Sequence, residues 1–238
     1  MSAINKGRHA FSYALPIALP IGVSFFFIGL GFGLYATSQG FSWWVPMVLA
    51  MTIFAGSMEF VTIGMLMAGF DPVTALMLTL FVNGRHIFYG LSMLQKYANM
   101  GWKWFPTVAW MCDESFAINA TTNLPDDVDT GWFYFHISWL NYAAWAVSTL
   151  VGGLFGNLLA NYDLRGVEFV LPGLFIVIFL EMLLNSKSNT IRLFGISGAV
   201  IAIVMLLLFG ASTFMLLSMT CMLIACYVAY TWGGVRLD

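Results

Sequence analysis

Charge is what this sequence has least of. Only 8% of its 238 residues are Asp, Glu, Lys or Arg, while 61% are hydrophobic. A soluble domain carries roughly 25% charged and about 45–50% apolar residues, so this chain has too little polar surface to coat a globule. A water-soluble enzyme is excluded. Lysine and arginine total 9 against 11 aspartates and glutamates, which leaves no basic footprint for nucleic acid. Cysteine is scarce as well. Cys112, Cys221 and Cys226 lack metal-ligand spacing, lie in apolar surroundings and read as buried, reduced thiols. There is no Gly-rich loop followed by Lys-Ser or Lys-Thr, no His-Glu-x-x-His and no Gly-x-Ser-x-Gly. Neither a nucleotide nor another cofactor or metal is expected.

Long apolar runs are what the chain does have, with a mean hydropathy of +0.87. The 23 glycines and 9 tryptophans suit an integral membrane protein, in which Gly enters spans and Trp gathers at interfaces. Lys6 and Arg8 precede an apolar stretch as in a secretory signal. That stretch runs over 11–36, longer than a cleavable core, and shows no cleavage motif, so it reads as a retained first helix. Breaks rich in polar and turn residues divide the rest. They predict eight helices, over 10–37, 43–67, 72–95, 106–122, 132–159, 164–185, 191–208 and 212–232, the fourth being short. Ten-residue alternating segments are missing, which argues against a β-barrel. The expected fold is an all-α polytopic bundle of about seven to eight spans in a single transmembrane domain, 1–238.

Orientation follows weakly from the cations. A cytoplasmic N-terminus with eight spans puts Lys6, Arg8, Lys187, Arg192 and Arg236 inside and Lys96, Lys103 and Arg165 outside. A re-entrant or broken segment among the first three helices would reverse every later loop. Two short matches, Leu15-Pro16 with Leu171-Pro172 and Phe54–Ser57 with Phe209–Ser212, are what an inverted repeat would leave, though chance leaves such matches too.

Polar groups inside apolar spans carry the chemistry, because a charge at the bilayer centre costs roughly 2.5–3.5 kcal/mol or more. Glu59, flanked by Met58 and Phe60, stands out, and function or buried pairing is expected of it. Gly56 and Ser57 beside it suit either an unwound turn that presents backbone groups to a cavity or a close helix contact. The third helix carries Asn83, Arg85, His86 and Tyr89 within two turns. Arginine offers a planar fork to a carboxylate and histidine titrates near neutrality. A purely structural Arg–carboxylate clamp stays open. The fourth helix adds Asp113 and Glu114, pointing about 100° apart. If these groups converge, three acids face Arg85 and a neutral His86, and a shared proton relieves the excess negative charge. The third and fourth helices, joined by a short loop, are expected to be antiparallel neighbours in which Arg85 answers to the acids. Asp126, Asp127 and Asp129 read as solvated loop residues, Glu168 and Glu181 as lying near helix ends, and His136 with Trp132 and Trp139 as interfacial.

The order and spacing of Pro16 and Pro20, Phe54-Ala-Gly-Ser57, Glu59, Asn83-x-Arg85-His86, Tyr89 and Asp113-Glu114-x-Phe116 resemble the AzlC-like family, the large subunits of branched-chain amino acid exporters of the LIV-E type. At the position of Glu59 the family commonly carries glutamine. The resemblance implies a bacterial inner-membrane secondary transporter that exports Leu, Ile, Val and Met. It further implies a small AzlD-like membrane subunit as partner. Its substrate-binding residues would be Arg85, Asn83, Glu59, Asp113, Tyr89, Gly56 and Ser57, and its proton-coupling groups Glu59, Asp113, Glu114 and His86. Besides substrate and lipid, a second copy of the chain is left open as a partner. An ion or proton channel with the same charged interior is the rival reading, and an intramembrane enzyme is a weaker one.

Overall fold

A computed structural model of the chain describes residues 3–159, 189–210 and 214–233, together with Gly173, Ile176, Val177, Phe179, Leu180, Leu183 and Leu184. Among the described residues all regular structure is helical, without a strand. The chain divides into two compact units, Met1–Pro172 and Gly173–Asp238.

The first unit is built on two long helices, α1 (Ala3–Ser38) and α8 (Thr130–Leu158). Gly7 meets Trp132, Gly22 meets Ala144, Gly29 meets Ser148, Gly33 meets Gly152 and Gly153, and Thr37 meets Gly156. Both residue numbers rise together, so the helices run parallel. Glycine is required at the far end of this seam, since a Cβ on Gly33 would sit on the backbone of Gly152 and Gly153. Pro16 and Pro20 lie inside α1 and leave the carbonyls of Ser12 and Pro16 without their helical donors.

Between these two helices the chain makes two hairpins. The first starts at the C-terminal end of α1. In α2 (Val45–Ile53), Pro46 approaches Gly153 while Met51 O accepts from the Tyr142 hydroxyl, so α2 runs back against α8. At Phe54–Gly56 the helix breaks, and α3 (Ser57–Ala68) turns back, placing Phe60 against Phe32 and Tyr35. The expected continuous helix over 43–67 is therefore two helices of opposite direction, broken where Gly56 was expected to permit it. Phe54 adopts φ 43° and Gly56 φ 50°, backbone that L side chains avoid and that forces the reversal.

Next, α4 (Pro72–Asn83), capped by the Asp71 carboxylate on the Thr74 N–H at 2.8 Å, and α5 (Arg85–Tyr97) carry the chain to the other end, with a turn at Gly84 between them. The second hairpin follows. It enters through a 3₁₀ turn (Gly101–Lys103) and α6 (Trp104–Ala109), breaks at 110–112, and leaves through α7 (Asp113–Thr121). Arg85 meets Asp113, Tyr89 stacks on Phe116, and Lys96 reaches the carbonyls of Asn119 and Ala120. Helices α5 and α7 thus run parallel. The antiparallel expectation fails because the single helix predicted over 106–122 is itself a broken return.

The end of the unit that holds Lys6 also holds Lys96 and Lys103. Lys103 Nζ lies 4.6 Å over the ring of Trp132, the ring that faces Gly7. Asp129 caps α8 through the Trp132 N–H at 3.0 Å and stands 4.0 Å from Lys6, while Asp127 lies 3.6 Å from His9. Asp126 and Asp127 are exposed, as the loop reading predicts, while Asp129 is half-buried because it caps α8. His136 stacks on Trp132 and contacts the Gly7 carbonyl at the same end.

In the second unit the helix Asn189–Phe209 is followed by the helix Phe214–Gly233, with Gly198 of the first facing Met222 of the second. By length and composition Asn5–Ser38 and Arg192–Phe209 could each cross a membrane. Leu171, Pro172, Ala211 and Ser212 of the repeat, and Arg165, Glu168, Glu181, Lys187 and Arg236, lie outside the described residues. Cys112 is buried and Cys221 half-buried, both as free thiols.

Candidate functional site

The tips of both hairpins reach the same depth. Phe54 from the first tip and Cys112 from the second share one apolar cluster with Phe25, Ala50 and Trp145. Phe25 lies just over one turn past the midpoint of α1, so at about 1.5 Å per residue this level is about 7 Å from the centre of a helix roughly 54 Å long. Broken helices leave backbone groups without internal partners at that depth. At the second tip the Ser115 hydroxyl accepts the Cys112 N–H at 2.8 Å and the Cys112 thiol at 3.4 Å.

Glu59 closes the first tip. Its side chain is fully buried, with Oε1 accepting the N–H groups of Ala55 at 3.1 Å and Gly56 at 3.2 Å. The indole N–H of Trp145 bridges both oxygens at 3.0 and 2.9 Å. A carboxylate at position 59 satisfies donors that the break would otherwise orphan, which is the local reason the sequence carries it. Among the described residues no cation pairs with it. Ser57 turns its hydroxyl to the Ala55 carbonyl at 3.4 Å, and nothing stands within 4 Å of a Cβ built on Gly56.

The second group lies between α5 and α7. Arg85 Nη1 is 3.0 Å from Asp113 Oδ2, with side chains 45% and 39% exposed. The expected partnership forms, but half-exposed, so the cost attached to a fully buried pair does not apply. The other carboxylate oxygen, Asp113 Oδ1, is buried without a partner, and so is Asn83 Oδ1. Two acceptor oxygens, one on the carboxylate that pairs with Arg85 and one on Asn83, are thus unspent among the described residues. Tyr89 stacks on Phe116 at 4.2 Å with nearly parallel rings. His86 holds a ring nitrogen 3.2 Å from the Asn83 carbonyl and meets Tyr89 edge-on.

The predicted residues thus form two neighbouring groups. Arg85, Asp113, Tyr89, Asn83 and His86 line one, while Glu59, Gly56 and Ser57 form the other, with Glu114 beside Cys112. Glu59 answers to Trp145 rather than to Arg85. Sequence reasoning missed Trp145, along with Ser138 and Asn141 on the same helix. Their spacing, Ser138, Asn141, Trp145 and Ser148, repeats every three to four residues, the signal of one helical face.

Comparison with known proteins identifies the family. The family described as AzlC protein matches residues 20–159, which include both hairpins and α8. The branched-chain amino acid transport protein AzlC of Bacillus subtilis (strain 168) is 42% identical over 214 residues, covering 90% of this chain and 83% of that protein. An uncharacterized membrane protein of Haemophilus influenzae is 38% identical over 213 residues, covering 89% of this chain and 86% of its own. The inner membrane protein YgaZ of Escherichia coli (strain K12) is 27% identical over 237 residues, covering 96% and 94%. No solved structure matches. With the family spanning both hairpin tips and the relatives covering nearly the whole chain, this membrane protein belongs to the AzlC family.

Proposed function

We propose that the chain is a multi-pass secondary transporter of the bacterial inner membrane that exports branched-chain amino acids. The observation that carries this reading is its 42% identity, over 90% of its length, to a protein named for branched-chain amino acid transport. The geometry supports it. An amino acid presents a carboxylate, an ammonium and an aliphatic tail. Arg85 offers a planar fork to the carboxylate, Asp113 Oδ1 and Asn83 Oδ1 offer unspent acceptors to the ammonium, and the apolar cluster around Phe54 and Trp145 suits the tail.

In this reading α1, α4–α5 and α8 cross the membrane, and the hairpins dip in from opposite faces. The pair formed by α1 with its hairpin and the pair formed by α4–α5 with its hairpin are then inverted repeats, with the site at their meeting point. Lys6, Arg8, Lys96 and Lys103 gather at one end, which the positive-inside tendency makes cytoplasmic. Glu59, buried and without a cationic partner among the described residues, is the candidate proton carrier, with Asp113, Glu114 and His86 as its alternatives. A small AzlD-like subunit completes the assembly.

The test is counterflow of labelled leucine in proteoliposomes holding the purified chain, alone and with the small membrane subunit. Saturable exchange of leucine, isoleucine and valine is expected. Flux that is unsaturable and does not exchange would instead make the protein a channel. Glu59→Gln should abolish the pH dependence of net transport while sparing exchange, and a normal pH profile would remove Glu59 from coupling.

A further inference from the structure

The helix that holds Glu59 through Trp145 also carries buried polar atoms with no hydrogen-bond partner among the described residues. Asn141 is fully buried, and both its Oδ1 and its Nδ2 are unpaired. Ser138, one turn earlier, is fully buried with its hydroxyl unpaired. Buried side-chain amides are nearly always hydrogen-bonded, and an amide left empty on both sides is among the costlier arrangements a core can hold. Each such group in a native fold requires an explanation, and location supplies one. Asn141 lies one turn from Ile137, which packs in the cluster that holds Met111, and one turn from Trp145, which packs in the cluster that holds Cys112. It therefore stands on α8 at the depth of the break between α6 and α7.

We propose that Asn141, assisted by Ser138, is a substrate-contacting residue that receives the polar end of an α-amino acid between α8 and the hairpin tips. This rests on the transport reading and extends it to residues outside the Arg85 and Glu59 groups. An amide carries two N–H donors and a carbonyl acceptor on one planar group. A zwitterion carries a carboxylate and an ammonium on one carbon, so the asparagine adds a contact to either end beside those offered by Arg85 and Asp113. A hydroxyl one turn away adds a further donor or acceptor. The surrounding apolar cluster leaves the aliphatic side chain as the part of the cargo that gains by burial there.

The experiment measures leucine counterflow KM and the leucine-induced thermal shift for Asn141→Leu, Asn141→Ala and Ser138→Ala in the full chain. A hydrogen bond to a charged group is worth roughly 10- to 100-fold in affinity. Asn141→Leu should raise the leucine KM by about tenfold or more and erase the leucine-induced shift, while the ligand-free protein unfolds no earlier than wild type because a buried orphan amide has been removed. Ser138→Ala should raise KM by a smaller factor. Should Asn141→Leu fail to fold, Asn141→Ala and Ser138→Ala carry the test. Wild-type KM in Asn141→Ala together with a normal leucine shift means that the amide holds only water, and the inference is overturned. A wild-type protein that exchanges no leucine, isoleucine or valine overturns instead the transport reading beneath it.

Discussion

Replacing Trp145 by phenylalanine isolates the bond that ties α8 to the first hairpin. The indole N–H stands 3.0 and 2.9 Å from the two oxygens of a fully buried carboxylate. Phenylalanine keeps a ring beside Phe25 and Phe32, which lie 5.4 and 6.5 Å away by centroid, and removes the donor. A hydrogen bond to a charged group contributes about 1.5–3 kcal/mol. The small void left by the lost ring adds on the order of 1 kcal/mol. The remaining donors, Ala55 N–H at 3.1 Å and Gly56 N–H at 3.2 Å, are at the long end of the range and cannot compensate. Trp145→Phe should therefore destabilise the chain by about 3 kcal/mol in reversible unfolding from mixed micelles, followed by circular dichroism. Combined with Glu59→Leu, the double-mutant cycle should show a coupling of about 1.5–3 kcal/mol. Additivity within about 0.5 kcal/mol would refute the reasoning, because the two groups would then not depend on one another.

Arg85→Ala should abolish transport yet cost at most about 1 kcal/mol of stability, since the pair with Asp113 is half-exposed. Adding Asp113→Asn should recover that stability without recovering transport, and a loss of several kcal/mol would mean the pair is shielded far more than the geometry gives. Arg85→Lys keeps the charge but loses the fork, and should raise the leucine KM with little change in folding. Gly56→Ala should destabilise by about 1–2 kcal/mol through backbone strain alone, because no atom stands within 4 Å of the added Cβ. Gly64→Ala, equally unobstructed but inside α3 and without positive φ, is its control and should stabilise by up to about 1 kcal/mol. Gly33→Leu, driven into the α8 backbone, should prevent stable folding.

The residues that proved legible were those whose chemistry conflicts with their surroundings. A carboxylate between Met58 and Phe60 has to be satisfied, and Gly56 beside it marks where the helix gives way. Arg85 and Asp113 meet because each is costly alone. Direction was not legible. The apolar stretch 43–68 has the length and composition of a span, and only the contact of Phe60 with Phe32 shows that the chain turns back. The same holds for 98–121, where the shortness of the fourth predicted helix was the sole hint. That reversal places Lys96 and Lys103 at the end that holds Lys6, removing the conflict that eight spans created for these lysines. Asn141 and Trp145 stayed hidden because aromatic and polar residues alternate along α8, and the face that matters emerges only once its neighbours are placed.

The two hairpins are the core of the account, and impermeant thiol labelling of intact cells and inverted vesicles tests them most directly. Single cysteines at the exposed positions Gly40 and Phe70 flank the first hairpin, and those at Asn99 and Asp127 flank the second, in a background lacking the three native cysteines. Gly40 and Phe70 should label only from the periplasmic face, and Asn99 and Asp127 only from the cytoplasmic face. Labelling of Gly40 and Phe70 from opposite faces would show that 43–68 crosses the membrane, and the meeting of two hairpin tips at mid-depth would be contradicted.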